Sequence, residues 1–233
     1  GKRIMRKKLS KRYKKLLDKT EANKIETLEE AIKKIKKNCT TKFDESIDVS
    51  LNLNLKQKKE EVNLRTVVNL PNGNGKKIKL AVLCEESKIK EAKDSGAELV
   101  GSDKLINDIT NGKINFDKLI STPNMMSKLG KLGKILGPKG LMPNPKLGTV
   151  TTDIKKTVKA LKDGQIEIKN DKDGNIAASI GKKSFPDSKI IENFNAFIQT
   201  ILKEKPNGIK GDFILSSFIT STMGISFKLK LNI

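Results

Sequence analysis

Residues 47–55 read IDVSLNLNL, so that apolar side chains at odd positions alternate with Asp, Ser and Asn. A period of two predicts a β-strand with one buried face and one face towards solvent. Upstream, residues 27–37 (TLEEAIKKIKK) place apolar side chains at helical spacing, and Thr27 with Glu30 fits a capping box. This part of the chain therefore predicts an α+β domain in which helices cover one face of an antiparallel sheet.

A different pattern starts at residue 78, where IKLAVLC (78–84) is almost continuously apolar. Such a run is typical of a parallel strand covered on both faces. Two helix-like segments, 87–96 and 103–112, then alternate with short apolar segments at 98–100 and around residues 119 and 120. This βαβαβ order, followed by a helix over 153–162, predicts a Rossmann-like, three-layer α/β/α domain.

The alternating pattern returns at residue 165. Ile166 and Ile168 precede Asn170–Gly174, which we predict to be a hairpin turn with Gly174 at positive φ. A helical apolar stripe over 190–202 and an alternating strand over 227–233 complete the chain. The predicted fold class is thus α/β with two domains, a discontinuous α+β domain (1–71 and 164–233) and an inserted Rossmann-like domain (72–163).

The net charge limits the function. The chain has 233 residues with 48 Lys and Arg against 27 Asp and Glu, a formal charge of +21. This excess favours a polyanionic partner, either nucleic acid or an anionic membrane. No apolar run approaches the roughly 18 residues that span a bilayer, and none is typical of a signal peptide, so we expect neither a membrane protein nor an exported one.

The sequence contains few residues in patterns that are typical of catalytic sites. The sequence contains no His, which excludes His-dependent nucleophilic, acid–base and metal chemistry. Cys39 and Cys84 form no CxxC motif, and we expect reduced, buried thiols. The acid pairs Asp44/Glu45 and Asp171/Asp173 are expected in strands and turns rather than in acid–base catalysis. The sequence therefore predicts a protein that is not an enzyme and needs no metal or cofactor.

The first 15 residues hold nine Lys and Arg and no acid. This segment could lie along phosphates, or form an amphipathic helix with Ile4, Leu9, Leu16 and Leu17 packed inward, and the two roles are compatible. A helix on a membrane surface would need a broader apolar face. Residues 130–148 combine glycines with Lys131, Lys134, Lys139 and Lys146 but match no phosphate-loop motif. Phosphate binding and a purely structural loop both remain open there.

Only nine residues are aromatic, and no motif for stacking single-stranded RNA is present. If the partner is nucleic acid, we expect a folded RNA or a duplex recognised by its shape and backbone. Two short elements suit such contacts: Lys42-Phe43, a cation beside an aromatic ring, and Thr222-Met223-Gly224, a hydroxyl and a flexible apolar side chain beside a glycine.

Several motifs resemble one protein family, the ribosomal protein L1 family of the large subunit, in its bacterial or organellar form. The most specific is LGPKGLMPNPK (136–146) followed by GTV (148–150). The others are TKFDES (41–46), LPNG (70–73), NDK-x-G (170–174), GK-x-SF (181–185) and TMG (222–224). The resemblance runs through almost the entire chain.

The resemblance implies two domains joined by a hinge and a structural role in the ribosome without catalysis. Such proteins bind large-subunit ribosomal RNA, form the mobile stalk at the tRNA exit site, assist release of deacylated tRNA and repress translation of their own mRNA. Carried over by motif, the RNA-binding residues are Lys42, Phe43, Ser46, Lys169, Asn170, Asp171, Lys172, Ser216, Thr222, Met223 and Gly224. The implied partners are ribosomal RNA, exit-site tRNA and the protein's own mRNA. We expect a monomer off the ribosome, in a cytoplasm or an organelle.

Two other functions would require different features of the sequence or a different partner. A nucleotide-binding α/β enzyme would need a phosphate-loop signature and a polar catalytic set, and the sequence offers neither. An RNA-binding regulator that acts off the ribosome would differ in its partner rather than in its chemistry.

Overall fold

A computed structural model describes residues 9–18, 24–55 and 63–231. These residues form two compact units. The terminal unit comprises the described residues up to Asn63 and from Asn170 onward, and the inserted unit is Leu64–Lys169. Both units mix helices and sheets, which confirms the predicted fold class.

The elements are numbered in chain order. The strands are β1 (Ile25–Glu26), β2 (Ser46–Leu53), β3 (Arg65–Asn69), β4 (Leu80–Leu83), β5 (Leu99–Gly101), β6 (Lys118–Ser121), β7 (Gln165–Lys169), β8 (Asn175–Lys182), β9 (Ile214–Ser221) and β10 (Phe227–Leu229). The α-helices are α1 (Lys11–Asp18), α2 (Leu28–Asn38), α3 (Ile89–Asp94), α4 (Asp103–Thr110), α5 (Met126–Leu129), α6 (Gly133–Leu136), α7 (Ile154–Lys162) and α8 (Asp187–Lys203). Among the described residues, 3₁₀ turns are formed by Glu86–Lys88, Pro123–Met125, Gly130–Leu132 and Pro145–Leu147.

The terminal unit is built on a five-stranded sheet in the order β1-β10-β9-β2-β8. Strand β2 pairs antiparallel with both β8 and β9. Its odd-numbered residues are buried and its even-numbered residues are half-buried, as the alternation in the sequence predicts. One face of the sheet is therefore core. The other, which we call the open face, carries polar side chains on β2 and is partly accessible.

Helices α2 and α8 supply the cover for the core face. Helix α2 starts where expected, because Thr27 Oγ1 accepts a hydrogen bond from the backbone N of Glu30 at 3.4 Å. The apolar stripe of α8 is buried, as predicted, at Ile190, Phe194, Phe197, Ile198 and Ile201. The buried Asn193 between them donates from Nδ2 to the carbonyl of Ile180 at 2.7 Å, which ties the helix to β8.

The inserted unit has a parallel sheet in the order β5-β4-β6. Alternate residues of the fully buried β4 enter different cores. Ala81 and Leu83 pack in a cluster with residues of α4, α5 and α6, whereas Leu80 and Val82 pack with residues of α3 and α7. The sheet is thus covered on both faces, which is the three-layer arrangement that the continuous apolar run of β4 predicts.

Strands β3 and β7 differ from the prediction. They pair with each other as a separate antiparallel ribbon, with Arg65 opposite Lys169 and Asn69 opposite Gln165. The turn 170–174 therefore does not connect two paired strands, because β7 lies in this ribbon while β8 pairs with β2. The hairpin prediction is wrong, since local turn chemistry says nothing of which sheet each flanking strand joins. The units accordingly divide at Asn63 and Lys169, whereas the sequence placed the division near residues 71 and 164.

Cys39 and Cys84 are free and buried, and burial raises the pKa of both thiols above the ordinary value.

In the N-terminal segment, α1 buries Leu16 while Leu9 is exposed. Ile4 and the basic residues before Leu9 lie outside the described residues, as does Ile233. Within the described ranges, no helix is long and apolar enough to cross a membrane.

Candidate nucleic-acid interface

Two segments that are far apart in the sequence meet where β2 begins. The backbone N of Ser46 donates to Thr222 Oγ1 at 3.0 Å, and the backbone N of Thr222 donates to the carbonyl of Ser46 at 3.1 Å. These bonds bring Lys42-Phe43 and Thr222-Met223-Gly224 to the same end of the terminal unit. We call these two segments the β2-start surface.

Two large apolar side chains of the β2-start surface face solvent. Phe43 is 54% exposed and Met223 is 47% exposed, and Lys42 beside them is exposed as well. Exposed large apolar side chains among the described residues all belong to the terminal unit. An aromatic ring, a polarizable thioether and a cation at one end of the unit can take an unstacked base together with its phosphate.

A buried carboxylate, Glu45, holds the β2-start surface in shape. Its residue has no exposed area, and it accepts from Thr41 Oγ1 at 2.7 Å and from the backbone N of Met223 at 3.2 Å. Burial alone would raise the pKa of Glu45, but hydrogen bonds from Thr41, Ser221 and Met223 outweigh burial and lower that pKa below its usual value. Glu45 thereby fixes the loop that carries Phe43 against the loop that carries Met223.

Glycine is required at position 224 by space rather than by backbone conformation. A Cβ placed there would lie 2.3 Å from Ser221 Oγ, well inside van der Waals contact. Ser221 is itself buried and hydrogen-bonds Glu45, so it has little room to move. Gly224 therefore lets the loop after β9 close onto the buried Glu45 cluster.

Polar contacts from other segments support the same loops. Asp44 accepts from the backbone N of Ser184 at 3.0 Å and from its Oγ at 2.7 Å. The guanidinium of Arg12 donates to Thr40 Oγ1 at 3.0 Å and to the carbonyl of Met223. These residues anchor the exposed loops to α1 and to the segment after β8.

The sequence pattern does not reveal the role of Glu45, since it predicts only that Asp44 and Glu45 are acids of a strand or turn. A signal was nevertheless present, because Glu45 has the same parity as the buried Ile47, Val49, Leu51 and Leu53. An acid in phase with a core face must be satisfied by hydrogen bonds if it is buried. The identity of the donors, Thr41, Ser221 and Met223, depends on tertiary structure and could not be read from the sequence.

The turn that precedes β8 holds a second set of candidate residues. Asp171 Oδ1 accepts from the backbone N of Asp173 at 2.9 Å and of Asn175 at 2.7 Å, and Oδ2 accepts from Asn175 Nδ2 at 2.9 Å. The side-chain hydrogen bond from Asn175, followed by the backbone donors, lowers the pKa of Asp171. The Asp171 carboxylate thus shapes the turn, while Lys172 extends exposed beside it.

Other members of this second set differ in accessibility. Asn170 is buried and donates from Nδ2 to the carbonyl of Asp171 at 2.9 Å. Lys169 is exposed but ends β7 and so belongs to the inserted unit. Gly174 adopts a φ of +81°, as predicted for this turn, and a Cβ there would lie 2.7 Å from the carbonyl O of Leu53.

Ser216 connects the two sets along the open face. It lies opposite Asn52 near the start of β9, whereas Thr222 follows the end of that strand beside Ser46. Six residues of extended chain cover about 20 Å. The structure therefore distributes the candidate residues of the terminal unit along one face of its sheet and around both ends of β2.

The Gly- and Lys-rich segment of the inserted unit is a defined, irregular structure. Asn144 donates from its backbone N to Thr149 Oγ1 at 2.8 Å and accepts from the backbone N of Lys146 at 2.8 Å. Gly137 is required by space, because a Cβ would lie 2.6 Å from the carbonyl O of Gly133. The four lysines of this segment are exposed. The structural-loop interpretation thus accounts for this path, and the lysines remain available to phosphates.

A cavity of about 550 Å³ lies in the inserted unit, beside α7 and the β3–β7 ribbon. Its lining includes Asn69, Pro71, Lys156, Asp163 and Gln165, and no residue from the carboxyl ends of β4 or β6. Nucleotides in doubly wound folds bind at those carboxyl ends, so this cavity does not favour a nucleotide-binding enzyme. Within the described ranges, no cluster of His, Cys, Asp and Glu could hold a metal ion.

Comparison with known proteins places the chain in a family. The sequence pattern of the Ribosomal protein L1p/L10e family matches residues 32–225. The chain belongs to the ribosomal protein L1 family. Its matched region contains both segments of the β2-start surface, the turn before β8 and the whole inserted unit.

Individual members of the L1 family agree with this assignment. The chain is 61% identical over 223 residues to the large ribosomal subunit protein uL1 of Pelagibacter ubique, covering 95% of this chain and 97% of that one. It is 47% identical to the large ribosomal subunit protein uL1c of Phaeodactylum tricornutum, covering 97% and 98% of the two chains. With the large ribosomal subunit protein uL1 of Rickettsia akari it shares 44% identity over 92% and 90%. The L1 family is one of ribosomal structural proteins rather than enzymes.

Proposed function

We propose that this L1-family chain, a structural constituent of the large ribosomal subunit, binds large-subunit ribosomal RNA through its terminal unit. Its place of action is the ribosome, as the names of its bacterial and uL1c relatives indicate. The proposed contacts in that unit are Lys42, Phe43, Ser46, Asn170, Asp171, Lys172, Ser216, Thr222, Met223 and Gly224. Lys169, the last residue of the inserted unit, precedes Asn170 directly in the chain and is a proposed contact as well.

The observation that carries this proposal is the β2-start surface. Phe43 and Met223 are exposed although they are large and apolar, and a buried carboxylate fixes the loops that bear them. A surface whose shape exists before the partner arrives loses little conformational entropy on binding. A formal charge of +21 adds attraction to any polyphosphate.

Asn170 and Asp171 enter the proposal mainly through the turn they build. Because Asn170 is buried and the Asp171 carboxylate is occupied by turn donors, they position Lys172 and the turn backbone for the RNA. Lys172 and Lys42 supply the charges at opposite ends of β2.

The finer roles rest on family membership. As members of this family are understood to do, the protein forms the mobile stalk at the tRNA exit site and assists release of deacylated tRNA. It also represses its own translation by binding an mRNA site that mimics the ribosomal one. Support for the last role lies in the preshaped surface, which would accept any RNA that presents the same fold.

The direct test measures binding to in vitro transcribed large-subunit ribosomal RNA of Pelagibacter ubique, with an arbitrary 20-base-pair RNA duplex as the comparison. We expect wild type to prefer the ribosomal RNA, and Phe43→Ala and Met223→Ala each to weaken that binding by about 1–3 kcal/mol. Lys104→Ala, at an exposed lysine of the inserted unit, is the control and should change it little.

Equal affinity of the wild-type chain for ribosomal RNA and duplex would refute the proposal. So would Phe43→Ala and Met223→Ala variants that bind ribosomal RNA as tightly as the Lys104→Ala control.

A further inference from the structure

An aromatic side chain stands on the open face between two proposed RNA contacts. Along β9 the residues at the core face are buried, whereas Ser216, Phe218 and Thr220 lie on the open face. Their partners on β2 are Asn52, Ser50 and Asp48, in that order. Phe218 is 36% exposed although it is apolar and large.

The neighbours of Phe218 are small or cationic. Ser50 lies opposite it on β2, and Ala177 of β8 lies opposite Ser50. On the other side its partner is Lys228 of β10, whose side chain is exposed. The ring is therefore flanked by a hydroxyl on one side and a cation on the other, with no bulky side chain at the adjacent pair positions of β2 and β8.

Geometry links Phe218 to the proposed RNA path. Ser216 lies about 7 Å before Phe218 on the same face, and Thr222 follows about 14 Å after it, at about 3.4 Å per residue. An RNA surface that follows the open face from Ser216 to Thr222 passes over Phe218. A base that covers the ring between these two contacts would remove apolar surface from water, which is favourable.

We propose that Phe218 is a stacking site for a nucleobase of the bound RNA, with Lys228 placed to meet a neighbouring phosphate. This inference rests on the proposed function, because the RNA path is defined by Ser216 and Thr222. Aromatic rings on open sheet faces accept bases in this way, since every base presents a π-face. The nearby cation favours RNA over a purely apolar partner.

The chain offers a direct spectroscopic test because it contains no Trp and only one Tyr. Phe218→Trp introduces a single indole at the proposed stacking site, and its fluorescence reports a stacked base by quenching. Leu215→Trp is the matched control. Leu215 is 57% exposed on the same strand but is the unpaired residue of a bulge, outside the row of Ser216, Phe218 and Thr220.

Titration with the Pelagibacter ubique ribosomal RNA should quench the indole at position 218 and leave the one at 215 nearly unchanged. In direct binding, Phe218→Ala should weaken affinity roughly 5- to 150-fold, the usual effect of losing one base stack. Phe218→Trp should retain affinity, and Leu215→Ala should bind as wild type does. Far-UV circular dichroism and a thermal melt establish that each variant is folded.

Other outcomes separate the two proposals. If Met223→Ala weakens binding while Phe218→Ala does not, and the indole at 218 is not quenched, the stacking site is wrong and the proposed function stands. If Phe218→Ala and Leu215→Ala weaken binding equally, general loss of apolar surface replaces stacking and the site is again overturned. If wild type shows no preference for ribosomal RNA, the proposed function fails and the stacking site falls with it.

Discussion

The carboxylate of Glu45 links two loops that the sequence separates by about three-quarters of its length. It accepts from Thr41, Ser221 and the backbone of Met223 and is itself fully buried. Unlike the hydroxyl donors, the backbone N–H of Met223 cannot reorient. A neutral amide at position 45 would place an NH₂ group or a weaker acceptor against that donor.

Glu45→Gln should therefore lower the free energy of unfolding at neutral pH by about 1–3 kcal/mol, the usual effect of disturbing a buried hydrogen-bonded group. Because the folded pKa of Glu45 is lowered, its contribution is complete above the unfolded value of about 4.3 and is lost as pH falls through the folded pKa. Urea unfolding at neutral and acidic pH should show the gap between wild type and variant closing on acidification.

Asp108→Asn, at an exposed position of α4, is the control for Glu45→Gln and should change stability by less than about 0.5 kcal/mol. A Glu45→Gln gap that persists unchanged in acid would contradict the charge-based account of this carboxylate.

Replacing glycine by alanine should have opposite effects on stability at two positions. At Gly224 an added methyl would meet Ser221 Oγ at 2.3 Å, whereas at Gly130 it would meet nothing within 4 Å. Gly130 also has a helical φ of −53°. Gly224→Ala should destabilise the protein by about 1–3 kcal/mol, and Gly130→Ala should stabilise it by about 0.5–1 kcal/mol. Thermal melts of both variants test this, and shifts of the same sign would be inconsistent with the described packing.

At the scale of elements, different residues of the turn before β8 hold its shape and contact the RNA. Asp171 receives three hydrogen bonds within the turn, whereas Lys172 next to it is exposed. Asp171→Ala should accelerate amide hydrogen exchange at Asp173 and Asn175, and weaken RNA binding through the altered turn. Lys172→Ala should leave exchange unchanged and affect RNA binding alone. Exchange rates that rise equally in both variants would remove this distinction.

How far the sequence predicted the elements depended on their range of interaction. Strand β2, helices α2 and α8 and the parallel strand β4 followed from hydrophobic period, because each buries a face or both faces regardless of its partners. The pairing of β3 with β7 could not be predicted in the same way. Apolar and polar residues alternate in these strands as they do in many others. Which strand pairs with which depends on contacts between residues about 100 positions apart in the chain.

The candidate site divides similarly. Exposed Phe43 and Met223 were found from residue type and family motifs, but their shared support from Glu45 required the tertiary structure. The sequence pattern does not mark Phe218 as exposed, because large apolar side chains are usually buried. The bulge at Leu215 shifts the register, so that Ser217 and not Phe218 faces the core.

For the whole molecule, the charge should govern how salt affects RNA binding. Affinity falls as salt rises, and each phosphate contact that is lost makes the slope of log affinity against log salt shallower by about one. Lys42→Ala and Lys172→Ala should each reduce that slope by about one, whereas Phe43→Ala should lower affinity by a similar factor at every salt concentration. Filter binding over a salt series measures both quantities. Equal slopes for wild type and both lysine variants would show that these cations do not touch phosphate.

The ribbon of β3 and β7 also bears on how such a chain could have arisen. Arg65, the second residue of the inserted unit, pairs directly with Lys169, its last residue, so the two ends of this unit lie about 4.5–5.5 Å apart between Cα atoms. A segment whose ends are neighbours can be gained or removed in one genetic event, with a few residues bridging the gap. Asn63 and Asn170 are therefore the natural points at which to splice this gene, whether by evolution or by a protein engineer.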